Sequence, residues 1–153
     1  MLHYKRLDSP SLSHIDIDSI DKLFRQLHND EEKTDLKDIA ETLNQDSLIV
    51  WTAQKGKEIV GMITMNIKYT LEEKSGYIDD FVVLEEFRGL GIGRGLLTRI
   101  LELAEKQGLV YVDLTSNPNN PNRMVAHIMY KEFGFEVIGS VNSSNYYRKQ
   151  LNS

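Results

Sequence analysis

Cysteine is absent from this 153-residue chain. Its absence excludes disulfides, thiolate metal sites and a cysteine nucleophile together. Proline is scarce: Pro10, Pro118 and Pro121 are the only three. No internal repeat, low-complexity tract or linker marks a boundary, so a single domain over 1–153 is expected. No apolar run approaches the roughly 18 residues needed to span a bilayer. The opening Met1-Leu2-His3-Tyr4-Lys5-Arg6 lacks the apolar stretch of a signal peptide. These absences make a soluble cytoplasmic domain with no membrane partner the expectation. Basic side chains are in deficit too, 18 Lys and Arg against 23 Asp and Glu, for a formal charge of −5. A general nucleic-acid binder shows a basic face, so nucleic acid is not expected as a partner.

What the chain does have is order in its apolar residues. The run 2–7 reads as a first strand. Ile17, Ile20, Leu23, Phe24 and Leu27 recur at helical spacing, which predicts a helix over 16–26. A second helix is expected over 34–43, capped by Thr34 or Asp35. The charged stretch His28-Asn29-Asp30-Glu31-Glu32 between them reads as a solvated loop. Strands over 48–53 and 58–68, joined by the turn Lys55-Gly56-Lys57, make a hairpin. A polar loop over 72–76 precedes a strand over 77–84, and a helix-like run over 96–104 closes at Gly108. A strand over 109–115 follows, then the loop 117–121 and a helix over about 122–132, stopped by Gly134. Strands over 135–138 and 145–149 close the chain. Hairpins first and strand–helix–strand units later predict an α/β (α+β) fold. Its mixed, mostly antiparallel central sheet should hold about six or seven strands, with about four helices on its faces.

One stretch stands apart: Phe87-Arg88-Gly89-Leu90-Gly91-Ile92-Gly93-Arg94-Gly95. Four glycines at every second position leave the backbone N–H groups uncovered by side chains. A helix starting there adds further N–H groups and the positive end of its dipole, so the stretch suits an anion, above all a phosphate group. Arg88, Arg94 and Arg99 make the region locally basic. A mononucleotide P-loop requires a Lys-Ser/Thr pair at its end, and none follows Gly95. The dinucleotide pattern Gly-x-Gly-x-x-Gly fails from either start, because its third glycine falls on Leu96 or Arg94. Asp113 does lie where a ribose-binding acid would sit, but no second strand–helix–strand half has room to follow.

The remaining class is acyl-coenzyme A, and here the chain resembles the GNAT superfamily of N-acetyltransferases. Arg88-Gly89-Leu90-Gly91-Ile92-Gly93 matches its Gln/Arg-x-x-Gly-x-Gly/Ala signature at every fixed position. The preceding Ile78-Asp79-Asp80-Phe81-Val82-Val83 resembles the superfamily's acidic-then-apolar fourth strand. Ala126-His127-Ile128-Met129-Tyr130-Lys131-Glu132-Phe133-Gly134-Phe135 is similar to its Ala-x-x-x-Tyr-x-x-x-Gly-Phe helix end. The order of elements agrees over nearly the whole chain.

The resemblance implies acetyl-CoA as donor and a primary amine, of a small molecule or a protein, as acceptor. It assigns the pyrophosphate to Arg88, Gly89, Gly91, Gly93 and Arg94. The side chains of Leu90 and Ile92 are expected to pack inward, leaving their N–H groups to the ligand. A backbone N–H within Phe81, Val82 and Val83, beside a bulge in the fourth strand, would meet the oxyanion that forms as the amine attacks. A lysine-like amine is neutral about once in 2,500 molecules at pH 7, so a base assists. Strand alternation places Asp79 and Asp80 on opposite faces, and Asp79 aligns with the superfamily's glutamate, so Asp79 is the expected base. Tyr130 aligns with the tyrosine that protonates the leaving thiolate. Asn117 and Arg123, with Asn122 and His127, form a polar cluster beside that helix. Asn117 and Arg123 are assigned to the coenzyme, although Arg123 replaces an asparagine common in the superfamily. Trp51, Tyr146 and Tyr147 are candidates to line the acceptor pocket. Homodimers are frequent in the superfamily, which makes a second copy a candidate partner. The alternative from another class is a non-catalytic acyl-CoA-binding sensor or interaction module.

Overall fold

The computed structural model describes residues 1–7, 12–29, 39–120 and 123–151. Thr34, Asp35, Asp30 to Glu32, Pro121 and Asn122 therefore lie outside the described residues. The described strands are β1 (Leu2–Arg6), β2 (Leu48–Lys55), β3 (Glu58–Tyr69), β4 (Lys74–Val83), β5 (Tyr111–Ser116), β6 (Glu136–Val141) and β7 (Ser144–Gln150). The helices are α1 (His14–His28), α2 (Ile39–Leu43), α3 (Ile92–Lys106) and α4 (Met124–Glu132), with a 3₁₀ turn at Glu85–Phe87. The seven strands form one mixed, mostly antiparallel sheet in the order β1-β2-β3-β4-β5-β7-β6. Its parallel pair is β4 with β5, matched at Gly76 with Val112 and Tyr77 with Asp113. The chain divides into two compact units, Met1–Asn66 with Asp79–Ile100, and Ile67–Ile78 with Leu101–Ser153.

In the first unit, α1 starts at Ser13, whose hydroxyl accepts from Asp16 N–H while the Asp16 carboxylate accepts from Ser13 N–H. This reciprocal box satisfies two orphan donors of the helix start. Asn29, with φ +53, ends the helix in the left-handed region. Ile20 and Leu23 face the core, and the buried Ser19 hydroxyl accepts from Ile59 N–H at 3.2 Å.

Among the boundaries that differ from expectation are the starts of β4 and α3. β4 begins at Lys74 rather than Tyr77, because Ser75 and Gly76 are buried in the sheet and Val110 N–H donates to Lys74 O. α3 begins at Ile92 rather than near Leu96, so Gly93 and Gly95 are helical. Glycine costs a helix about 1 kcal/mol, and packing accounts for it here. Ile92, Leu96, Leu97 and Ile100 are buried together. A Cβ at Gly95 would collide with the Tyr4 hydroxyl and ring. Gly95 thus lets α3 pass over β1, a packing duty.

The second unit is held on one sheet face by a polar network. The Arg148 guanidinium donates to both Asp113 carboxylate oxygens at 2.8 and 3.0 Å, and Tyr146 OH donates to the same group at 2.8 Å. Arg148 also lies 3.6 Å over the Tyr111 ring, and Tyr77 OH shares a 3.0 Å hydrogen bond with Thr115 Oγ1. Asp113, which the sequence also offered as a ribose-binding acid, is buried and fully engaged by the fold. Breaking a buried pair on one side leaves an uncompensated charge. Arg148 keeps some solvent, so Asp113→Ala is expected to cost about 2–3 kcal/mol. That corresponds to roughly 5–10 °C of melting temperature for a chain of this size, readable by calorimetry.

Candidate active site

The hairpin of β3 and β4 is not a regular ladder. Near its tip Thr70 N–H bonds Glu73 O, and at its base Leu84 N–H bonds Val60 O. From Val60 to Thr70 the chain advances ten residues, but from Glu73 to Leu84 it advances eleven. β4 therefore carries one extra residue, a β-bulge. The side chains place it at Asp79 and Asp80. Thr64 Oγ1 accepts from Asp80 N–H at 3.0 Å and donates to Asp80 Oδ2 at 2.8 Å. Asn66 Nδ2 donates to Asp79 Oδ2 at 2.6 Å.

Thr64 and Asn66 stand two apart on β3 and share a face, so both carboxylates lie on that one face. The expectation of opposite faces is overturned, because a bulge suspends alternation. Burial pushes the Asp80 carboxyl above its ordinary range. The Thr64 hydrogen bond opposes that rise, the Asp79 charge adds to it, and His28 on α1 opposes it weakly. Asp79 is exposed. Phe81, Val82 and Val83 lie between Asp80, whose N–H donates to Thr64, and Leu84, whose N–H donates to Val60.

Beyond β4 the chain turns through Glu85–Phe87 into the glycine loop. Gly89 and Gly91 have φ of +78° and +81°, in the region that favours glycine, and a Cβ on either would meet nothing within 4 Å. Gly95 N–H bonds Gly91 O at 3.0 Å as α3 begins. The first N–H groups of a helix have no carbonyl behind them, and Ile92 and Gly93 occupy these positions. The loop thus presents a bare, outward backbone at the positive end of a 15-residue helix.

Around that loop the side chains divide. Ile92 is 2% exposed, as expected, but Leu90 is 67% exposed. The φ of Gly89 and Gly91 on either side turns Leu90 outward, which corrects the expectation that it packs inward. Arg94 is exposed; Arg88 is exposed and sits 3.7 Å from Glu85. Arg99 does not extend the basic patch: it stacks 3.7 Å over Tyr4, lies 5.8 Å from the Trp51 ring and donates to Gly95 O. Trp51 therefore belongs to an aromatic–cation cluster under α3.

In the second unit, α4 presents Tyr130 to the core. Its ring packs edge-on against Phe135 at 5.9 Å and tilted against Tyr147 at 5.6 Å. Tyr130 is 3% exposed, and burial pushes its phenol up to about 12, with the Arg123 charge opposing. His127 stacks on the same Tyr147 and shares a 2.8 Å hydrogen bond with Ser116 Oγ at the end of β5. Burial, then the charges of Arg123 and Lys131, push its imidazole below the ordinary value. Asn117 Oδ1 accepts from Asn119 N–H at 2.9 Å, an Asx turn leading toward Arg123 at the start of α4. Val125, on the same helix, faces outward.

The chain belongs to the GNAT family of acetyltransferases, whose sequence model, "Acetyltransferase (GNAT) family", matches residues 16–135. Acetyl-CoA is the co-substrate that fits this family. Among solved structures, the fold is similar to that of an acetyltransferase from Streptococcus agalactiae 2603, with a TM-score of 0.76, 20% identity and 98% of each chain covered. PH1933 from Pyrococcus horikoshii OT3 gives 0.73 at 21% identity, covering 99% of this chain and 100% of its own. The PaiA N-acetyltransferase of Thermoplasma acidophilum, solved in complex with coenzyme A, gives 0.70 at 14% identity, covering 97% and 99%. At such identities the likeness is one of fold. No helix among the described residues is long and apolar enough to cross a membrane.

Proposed function

We propose that the protein is a cytoplasmic N-acetyltransferase that moves an acetyl group from acetyl-CoA to a primary amine by direct attack in a ternary complex. The observation that carries this reading is the glycine loop, whose open positive-φ backbone leads straight into the N-terminus of α3. Such a cradle suits a pyrophosphate. The N–H groups from Gly89 to Arg94 would hold it, with Arg88 or Arg94 adding charge. Asn117 and Arg123 are assigned to the remainder of the coenzyme. Bound acetyl-CoA supplies an activated thioester carbonyl.

A backbone N–H within Phe81–Val83 serves as the donor aimed at the developing oxyanion. Asp79 takes the amine proton, directly or through water, and Tyr130 returns a proton to the leaving sulfur. The acceptor is a small-molecule or protein amine.

The base assignment has its own test. Asp79→Asn is expected to lower kcat at pH 7 about 10²- to 10⁴-fold. A base works only when ionised, so activity falls as pH drops through its pKa. Burial raises the Asp80 carboxyl, so an acid limb above the ordinary carboxylate range that survives Asp79→Asn moves the role to Asp80.

The reading as a whole is tested by incubating the protein with acetyl-CoA and a panel of amines, following thiol release and product mass. Acetylated amine with matching thiol release is the expected result. Coenzyme bound with no thiol released by any amine would overturn catalysis in favour of a sensor.

A further inference from the structure

The corner between β4 and the glycine loop is gripped from outside the sheet by one side chain. Gln26, on the last turn of α1, donates from Nε2 to Val83 O at 2.9 Å and accepts at Oε1 from Glu85 N–H at 3.0 Å. The two backbone groups flank Leu84, whose own N–H bonds Val60 O. The Gln26 amide thus pairs with β4 as a short piece of strand would, on the side of Leu84 away from β3. Lys22, one turn earlier on α1, reaches Glu86 at 3.4 Å. Val83 ends the segment that carries the proposed oxyanion donor, and Glu85 begins the turn that delivers the backbone to Gly89.

We infer that Gln26 is a positioning residue for coenzyme binding, setting the angle at which the glycine loop leaves β4. The inference rests on the proposed acetyl-CoA site. A primary amide stays uncharged at every working pH while both donating and accepting through a planar fork, and both halves are used here. An apolar residue of the same size fills the volume but leaves Val83 O and Glu85 N–H to find other partners. The turn then loses its fixed direction, and the N–H groups of the loop lose their common aim.

The test compares coenzyme A affinity, measured by titration calorimetry, with thermal stability in three variants. Gln26→Leu removes both hydrogen bonds and is expected to weaken coenzyme A about tenfold, the size of one to two lost hydrogen bonds. Gln26→Glu keeps the acceptor for Glu85 N–H but sets a carboxylate oxygen against Val83 O. It should bind weakly at pH 8 and recover as pH falls, because a protonated carboxyl restores the donor. Ser19→Ala removes another α1-to-sheet hydrogen bond, to Ile59 N–H, and should lower stability with coenzyme A affinity unchanged.

Equal affinity in Gln26→Leu and the parent overturns the inference, as does an affinity loss of the same size in Ser19→Ala. If the parent itself fails to bind coenzyme A, the proposed function falls instead, and the two failures are told apart by that first titration.

Discussion

Replacing Tyr130 with phenylalanine is expected to lower kcat about 10²- to 10⁴-fold, the range for loss of a positioned proton donor. Acetyl-CoA affinity should stay within about twofold of the parent. The substitution keeps the ring against Phe135 and Tyr147 and deletes one hydroxyl. Burial holds the Tyr130 phenol at about 12, so the group remains protonated through the whole working range, as a proton donor must. It follows that the parent should show no alkaline limb from this residue at pH 10, where an ordinary tyrosine is half ionised. The stability cost of the lost hydroxyl is about 1 kcal/mol, small enough for the variant to be assayed folded. Turnover within threefold of the parent would remove Tyr130 from the chemistry and leave it as packing.

Gly91→Val is expected to weaken acetyl-CoA binding about ten- to hundredfold. Gly91 has φ +81°, and a β-branched residue there is strained by 1–2 kcal/mol or more. The chain escapes that strain by turning the peptide, which moves the N–H groups around Ile92 off their common target. Losing one charge-assisted hydrogen bond of about 1.5–3 kcal/mol gives the stated range. Gly56→Val is the control. Its φ is +62° and its Cβ space is equally open, but it sits in the β2–β3 turn. Both variants should lose similar stability, and only Gly91→Val should lose the coenzyme. Equal affinities in the two would detach the glycine loop from coenzyme binding.

Much of this molecule was legible in its sequence where one physical signal dominated. The hairpin at Gly56, the glycine stops at Gly108 and Gly134, and the apolar stripe of α1 each follow from a single local preference, and each is where it was expected. The start of α3 was not, because glycine reads as a breaker and only tertiary packing against Tyr4 makes Gly95 helical. Leu90 was misread for a related reason: its direction is set by the φ of its two glycine neighbours, which apolarity does not reveal. The bulge was invisible at Asp79 and Asp80, since alternation is a rule of regular strands and register is a property of two strands together.

Gln26 escaped notice as well, although a signal existed. Ser19, Leu23 and Gln26 fall at helical spacing on α1, and two polar residues flanking a buried leucine on one face call for named partners. Sheet atoms supply them: Ile59 N–H for Ser19, and Val83 O and Glu85 N–H for Gln26.

The extra residue in β4 behaves like a dislocation in a crystal row. It is bounded by two closed contacts, Thr70 with Glu73 and Val60 with Leu84, and between them one row holds one more member than the other. No side-chain substitution can change that count. A mutation at Thr64 or Asp80 can make the defect glide by a pair, exchanging which neighbours share a face, but the phase of Val82 to Leu84 is conserved while Leu84 holds Val60. Only an insertion in β3 or a deletion in β4 annihilates it. The pairing phase with which β4 reaches Leu84 is therefore protected by a count of residues, which point mutation cannot alter, while the angle of the turn beyond it rests on the Gln26 amide.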